Sequence, residues 1–364
     1  MTAPPSAAWL TWLRDAWDAG AAVLPVDHRL TRDEQDALIA RARPTAIFDG
    51  AQLLRIDGEP VADDVALVVA TSGSAGEPKA AELTHDALRA AVYSSAERLG
   101  VGAGDSWVCC LPVAHMGGML VLLRGLLMGA SVEVQAHFDP VALARSGAGC
   151  TSVVPTMVAR IHSAGETLRG FKVVLVGGAA LGDEMRSPPL VTTYGMTESC
   201  GGVVYDGRAL DGVGVRIGDD DEVQLSGPTL MRTYRLSSSQ PFTSDGWLRT
   251  KDAGEISQGI LRVFGRIDDV IVTGGEKVWP QEVEEALSAH PAVADVAVVG
   301  RPDPEWGSAV TALVVPADAA DPPSLDSLRA HVAQRIARFK APRAFEIVDA
   351  IPRTPSGKIK RSEL

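Results

Sequence analysis

Between Arg41 and Gly207 short apolar runs alternate with helix-like segments: TAIF at 45–48, VALVVA at 65–70, SWVCCL at 106–111, TSVVP at 151–155 and KVVLV at 172–176. Strands of this kind carry no polar face, so both of their faces must be covered. That rhythm predicts an α/β sheet, largely parallel, with helices on either side. Thr31 followed by Glu34 makes a capping box and predicts a helix through Ala42. From Asp211 to Phe264 short strands separated by turn residues (GDDDE, SSSQP, SDG, SQG) predict a small β-barrel or β-subdomain. After Arg266 a helix over 280–290, strands over 293–300 and 309–316, a helix from Leu325 to Arg338 and the strand AFEIV predict a compact α+β domain.

Charge narrows the partners. The 364 residues carry 34 Lys and Arg against 46 Asp and Glu, a net charge of −12, which argues against a general nucleic-acid or anionic-membrane surface. Residues 335–364 reverse that balance, with eight basic against three acidic side chains, and suit either an anionic ligand or plain solvent. The longest apolar stretch, Met116–Val132, has Arg124 at its middle and several glycines, unlike a bilayer span of about 20 apolar residues. The start, MTAPPSAAWL, lacks a basic region and an apolar core, so no export signal is read there and a cytoplasmic location is expected. Cys109, Cys110, Cys150 and Cys200 show no zinc spacing, and reduced thiols are expected.

Four segments carry chemistry. VALVVA runs into Thr71-Ser72-Gly73-Ser74-Ala75-Gly76-Glu77-Pro78-Lys79, ahead of a helix beginning near Thr84. Hydroxyls and glycine amides there can wrap a polyphosphate, with Lys79 as a point charge, although the Walker ending is missing and a plain Ser/Gly loop reads the same way. In the second, Thr193-Tyr194-Gly195-Met196-Thr197-Glu198, Tyr194 offers a flat face for a base, Thr197 a hydroxyl and Glu198 a hard oxygen for magnesium. Upstream, Gly177-Gly178-Ala179 lets backbone approach a ring closely. The third runs from Ser244 to Asp252 and on to Gly265-Arg266-Ile267-Asp268-Asp269. Asp252 can accept from two ribose hydroxyls and Arg266 can pair with phosphate or sugar oxygens, the alternative being a surface hairpin ion pair. The fourth, Pro352 to Arg361, sets Lys358 on a Pro/Gly loop. Asp219 to Glu222 reads as a solvated hairpin tip, and His115, ahead of a Gly-rich helix, as either a packed residue or a substrate contact.

Together, in this order, these segments resemble the acyl-adenylate-forming family of acyl-CoA synthetases, luciferases and adenylation domains. The resemblance covers roughly residues 60 to 364. It implies an α/β fold: a large N-terminal domain of sheet layers with a small β-subdomain over 1–267, then a mobile small α+β lid over 268–364, turning about a hinge at Asp268. It implies a two-step ligation with ATP, Mg2+ and coenzyme A. Lys358 would be the catalytic residue; Thr71, Ser72, Gly73, Ser74, Lys79, Gly177, Gly178, Ala179, Tyr194, Gly195, Met196, Thr197, Asp252 and Arg266 would bind ATP or AMP, and Glu198 the metal. His115 and Gly195 would face the acyl substrate, and Gly274, Gly275 and Lys277 would line the path for CoA.

YGMTESCGGVVYDG, with DGVGV after it, looks most like the branch that loads an aromatic dicarboxylic acid in menaquinone biosynthesis. Departures are a shortened region ahead of Thr71, Ala75 and Ala80 in the loop, and Lys251 where the family commonly has Gly. The implied partners are a small carboxylic acid, ATP and CoA, with no nucleic acid and no membrane span; a homodimer is compatible with the family. Two other readings stay open: a different aryl- or acyl-CoA ligase or carrier-protein adenylating enzyme, and a non-catalytic nucleotide-binding protein.

Overall fold

The computed structural model describes residues 1–71, 79–179, 181, 188–353 and 359–364. They divide into two compact units. One takes in Met1–Gly178 with residues 188–215 and Leu225–Arg249; the other takes in Ala179 and Leu181, Arg216–Gln224 and Thr250–Leu364.

The first unit opens with helices α1 (Ala8–Asp18) and α2 (Arg32–Ala42). Thr31 and Glu34 form the expected capping box on α2. Strands β1 (Ala46–Phe48) and β2 (Leu53–Arg55) then pair antiparallel, followed by β3 (Val65–Thr71), β4 (Lys79–Thr84) and α3 (His85–Leu99). Next come β5 (Ser106–Cys109), α4 (Met116–Met128), β6 (Ser131–Val134), α5 (Pro140–Ala144), β7 (Cys150–Val153), α6 (Pro155–Ser163) and β8 (Val173–Val176). The unit's main sheet continues with β9 (Leu190–Met196), β10 (Gly201–Tyr205) and β11 (Arg208–Ala209). Among the described residues it has seven strands in the order β11-β10-β9-β8-β7-β5-β6, parallel from β9 to β6.

Two of the predicted strands lie outside that sheet. Among the described residues TAIF pairs with β2 alone, and VALVVA belongs to a separate antiparallel sheet in which β3 pairs with β4. The segment expected to lead straight into a helix therefore makes a return strand first, and Thr84 caps α3 only after β4. Connections this short can join antiparallel neighbours, whereas parallel ones need a crossover of about a dozen residues. The apolar stretch around Arg124 is the buried helix α4, with the guanidinium stacked 4.2 Å from the Trp107 ring and donating to Ser95 Oγ at 2.7 Å. No helix among the described residues is long and apolar enough to cross a membrane.

Between Gly214 and Arg266 the chain builds the expected small sheet, open rather than a closed barrel: β12 (Gly214–Ile217), β13 (Glu222–Ser226), β15 (Leu248–Ser257) and β16 (Ile260–Arg266). The intervening β14 (Thr233–Tyr234) pairs instead with β4. The acidic tip is a 3-10 turn over Asp219–Asp221 with left-handed φ at Asp220 and Asp221, and no metal-binding cluster occurs among the described residues.

The second unit adds the hairpin β17 (Ile271–Thr273) and β18 (Glu276–Val278), helix α7 (Pro280–Ser288), strands β19 (Val293–Asp303) and β20 (Gly307–Pro316), helix α8 (Leu325–Ala333) and β21 (Ala344–Ile347). β21 pairs parallel with β20, and α7 and α8 bury Val283, Leu287, Leu328 and Val332 against Val296, Val298, Val310 and Val314. Helix α8 stops at Ala333, short of the expected Arg338, which begins a separate turn.

His290 gives this unit a pH response. Its Nδ1 accepts the N–H of Ala292 at 3.1 Å and its Nε2 lies 2.8 Å from Ser327 Oγ, so the neutral ring carries its proton on Nε2. Burial, with Arg335 nearby, holds His290 and the adjoining His331 below the ordinary value of 6.5. The unfolded chain takes up those protons first, so stability falls as pH drops through about 6.5 and goes on falling to the lower folded-state values. The urea midpoint should decline over that window. Replacing both residues by Gln should remove most of the decline; an unchanged slope would exclude them as its source.

Candidate active site

The parallel sheet sends the ends of β5, β8 and β9 to one edge, the carboxyl edge where open α/β sheets bind ligands. Beyond β8 lie Gly177, Gly178 and Ala179; at the end of β9 lie Tyr194, Gly195, Met196 and Thr197; beyond β5 lies His115, the N-cap of α4. The glycines are needed there. A Cβ on Gly195 would come within 2.0 Å of the Gly201 carbonyl oxygen, and one on Gly177 within 2.5 Å of Thr193 Oγ1.

Thr71 and Lys79 are cross-strand partners at the end of the β3–β4 pair where the chain passes from one strand to the other. Ser72, Gly73 and Ser74 lie outside the described residues. Lys79 Nζ donates to Ser239 Oγ at 3.0 Å and sits 4.7 Å over the Tyr234 ring, whose hydroxyl donates to Glu198 Oε1 at 2.7 Å. Lys79 and Glu198, expected at the phosphates and at the metal and far apart in sequence, are thus joined through Tyr234. Glu198 is 9% exposed and keeps a hard carboxylate oxygen besides the one Tyr234 engages, a donor that fits magnesium held otherwise by water and phosphate. Neither Tyr234 nor Ser239 is marked in sequence by any local pattern.

In the second unit Asp252 and Arg266 are directly opposed on β15 and β16. Arg266 Nη1 donates to Asp252 Oδ1 at 3.1 Å and to the Thr250 carbonyl at 2.9 Å. The hairpin ion pair expected as the alternative is thus present, with the Asp252 side chain 13% exposed. Lys251 adopts a left-handed φ of 60°, which explains the glycine common at this place in the family. Lys251 also pairs with the expected hinge residue Asp268 at 3.8 Å, both side chains more than half exposed. Gly274 and Gly275, both at positive φ, form the turn of the β17–β18 hairpin, and Lys277 on its return strand pairs with Asp221 at 3.2 Å. Lys358 lies outside the described residues.

The four cysteines are free and buried. Burial pushes the thiols of Cys109 and Cys110 up to about 12, that of Cys150 up to about 11, and that of Cys200 up as well, so none is a ready nucleophile.

A glycine-lined carboxyl edge, with a lysine tied through Tyr234 to a buried carboxylate, gives this α/β unit the features of a ligand site. Residues 52–234 match the family of AMP-binding enzymes and residues 282–358 match the AMP-binding enzyme C-terminal domain. The chain belongs to the AMP-binding enzyme family. It is 40% identical to the probable 2-succinylbenzoate–CoA ligase of Mycobacterium tuberculosis over 96% of each chain. Two solved structures of the o-succinylbenzoate CoA synthetase from Bacillus subtilis, each 25% identical, cover all of this chain. The one holding the acyl-adenylate intermediate gives a TM-score of 0.87 over 86% of its length; the one with ATP and magnesium ion gives 0.86 over 88%.

Proposed function

We propose that this chain is an AMP-forming acid–CoA ligase that converts o-succinylbenzoate to o-succinylbenzoyl-CoA through an acyl-adenylate, serving menaquinone biosynthesis in the cytoplasm. The observation that carries this reading is the 40% identity to a 2-succinylbenzoate–CoA ligase along 96% of both chains. In the first half-reaction the acid's carboxylate attacks the α-phosphate of ATP, forming the mixed anhydride and expelling pyrophosphate. In the second the CoA thiol attacks the acyl carbonyl and expels AMP.

Both reacting partners of the first step are anions, so charge must be neutralised where they meet. Lys358 takes that part at the α-phosphate. Lys79, with Thr71, Ser72, Gly73 and Ser74, holds the pyrophosphate end. Magnesium at Glu198 would screen the phosphates. Gly177, Gly178 and Ala179 let the backbone approach the base, Tyr194 offers it a flat face, Gly195 and Met196 bind the nucleotide, and Thr197 offers its hydroxyl to a phosphate. Asp252 accepts from the ribose hydroxyls, with Arg266 steadying it from the facing strand. His115 and Gly195 border the acyl group. Residues 1–267 and 268–364 act as the functional domains, Asp268 is their hinge between half-reactions, and Gly274, Gly275 and Lys277 border the path of CoA.

The test is pyrophosphate release by the purified protein with ATP, magnesium and a panel of aryl and fatty acids. Release with o-succinylbenzoate, followed by AMP and acyl-CoA once CoA is added, is the expected result. Release with another acid alone would discard the substrate, and silence across the panel would discard the ligase.

A further inference from the structure

We propose that Asp27 is a positioning residue for the acylation site: it acts through His115, fixing the imidazole with its proton on Nε2 and leaving Nδ1 for the acid. The inference rests on His115 bordering the acyl group, and it concerns a residue outside both family-matched stretches, 52–234 and 282–358.

Asp27 is 6% exposed, a rare place for a carboxylate unless it is well held. Arg29 clamps it, with Nη2 2.6 Å from Oδ2 and both Nε and the backbone N–H 3.0 Å from Oδ1. His28 Nδ1 stands 3.8 Å from Oδ1, and His115 Nε2 stands 3.4 Å from Oδ2. Burial alone would raise the carboxyl's pKa; the contacts to His115 and Arg29 outweigh it and hold the group well below the usual carboxylate range. Asp27 is therefore an anion whenever the protein is at work.

His115 has the complementary geometry. It is the N-cap of α4, yet its side chain makes no capping bond; only its carbonyl serves the helix, accepting from Gly118 and Met119. The ring is turned instead toward Asp27, with the side chain still 44% exposed. A ring nitrogen facing a carboxylate must carry a hydrogen, because two acceptors repel. The neutral ring is thus protonated at Nε2, and Nδ1 is the nitrogen left for a ligand. An acid that reaches Nδ1 meets the ring on the side away from Asp27, so the carboxylate behind the ring sets the orientation in which His115 is presented.

The experiment combines histidine-nitrogen NMR with steady-state kinetics on wild type, Asp27→Asn, Asp27→Glu, His115→Ala and the Asp27→Asn/His115→Ala pair. The wild-type His115 signal should report the Nε2–H tautomer, and Asp27→Asn, whose amide can donate to Nε2, should shift it toward Nδ1–H. The KM for the acid should rise about tenfold in Asp27→Asn, with the KM for ATP moving less than about twofold and Asp27→Glu recovering most of the loss. In the His115→Ala background Asp27→Asn should add little. An equal cost in both backgrounds would mean that Asp27 acts on the fold and not through His115, and an unmoved tautomer would overturn the inference outright. If wild type adenylates no acid while the tautomer shift still occurs, the ligase reading fails and the Asp27–His115 coupling stands without its catalytic role.

Discussion

Lys358→Ala should lower the rate of pyrophosphate release by about 10²–10³-fold, the usual cost of removing one preorganised group that meets charge developing in a transition state. The cause is electrostatic. Attack of a carboxylate on a polyphosphate brings like charges together, and Lys79 is assigned to the leaving pyrophosphate rather than to the attacked phosphorus. The segment PRTPSGK ends on this lysine, and the match to the family's C-terminal domain also ends at residue 358. ATP affinity should change much less than the rate, because the missing interaction matures only as the bond forms. Preformed acyl-adenylate should still pass to CoA at a rate near wild type. Rapid-quench measurement of the two half-reactions separates these outcomes: a loss below about tenfold in the first, or an equal loss in both, would mean that Lys358 does not serve the attacked phosphorus.

The second large effect is on stability. Arg235→Met should cost about 3–5 kcal/mol, because it breaks a buried ion pair from one side only. The Arg235 side chain is 4% exposed and that of Glu82 10%, with Nη1 and Oε1 3.2 Å apart. The same guanidinium donates to the backbone carbonyls of Ala42, Arg43, Glu59 and Pro60, tying the end of α2 and the segment ahead of β3 to the strand β4. Methionine fills much of the space but leaves a carboxylate and several carbonyls unserved. Since Arg235 follows Tyr234 directly, and its N–H reaches the Ala80 carbonyl, adenylation should weaken along with stability. Urea unfolding measures the loss. A change below about 1 kcal/mol would place the pair among surface contacts of little weight.

Much of this was legible in the chain. The strands at 106–111, 151–155 and 172–176 announce themselves because β-branched runs bounded by turn residues have few alternatives, and they do form the parallel sheet. What could not be read was which sheet a run joins. β3 is buried along Val65–Val69 with no alternation, so its composition is the same whether its neighbours run parallel or antiparallel. The nucleotide segments were visible because each is contiguous. Tyr234, Ser239 and Asp27 were not, since each meets its partner from far off in sequence: Glu198 for Tyr234, Lys79 for Ser239, His115 for Asp27. Asp252 and Arg266 fall between these cases, being close enough in sequence to suggest a hairpin and distant enough that the register had to be seen.

The distribution of thiols has a practical consequence. All four cysteines belong to the first compact unit and none to the second. Burial removes them from reagents and also suppresses their thiolate forms. Alkylation of the folded protein at mildly alkaline pH therefore has to wait for that unit to open. The chain carries its own clock for the breathing of one half of the molecule, and the other half is silent to it.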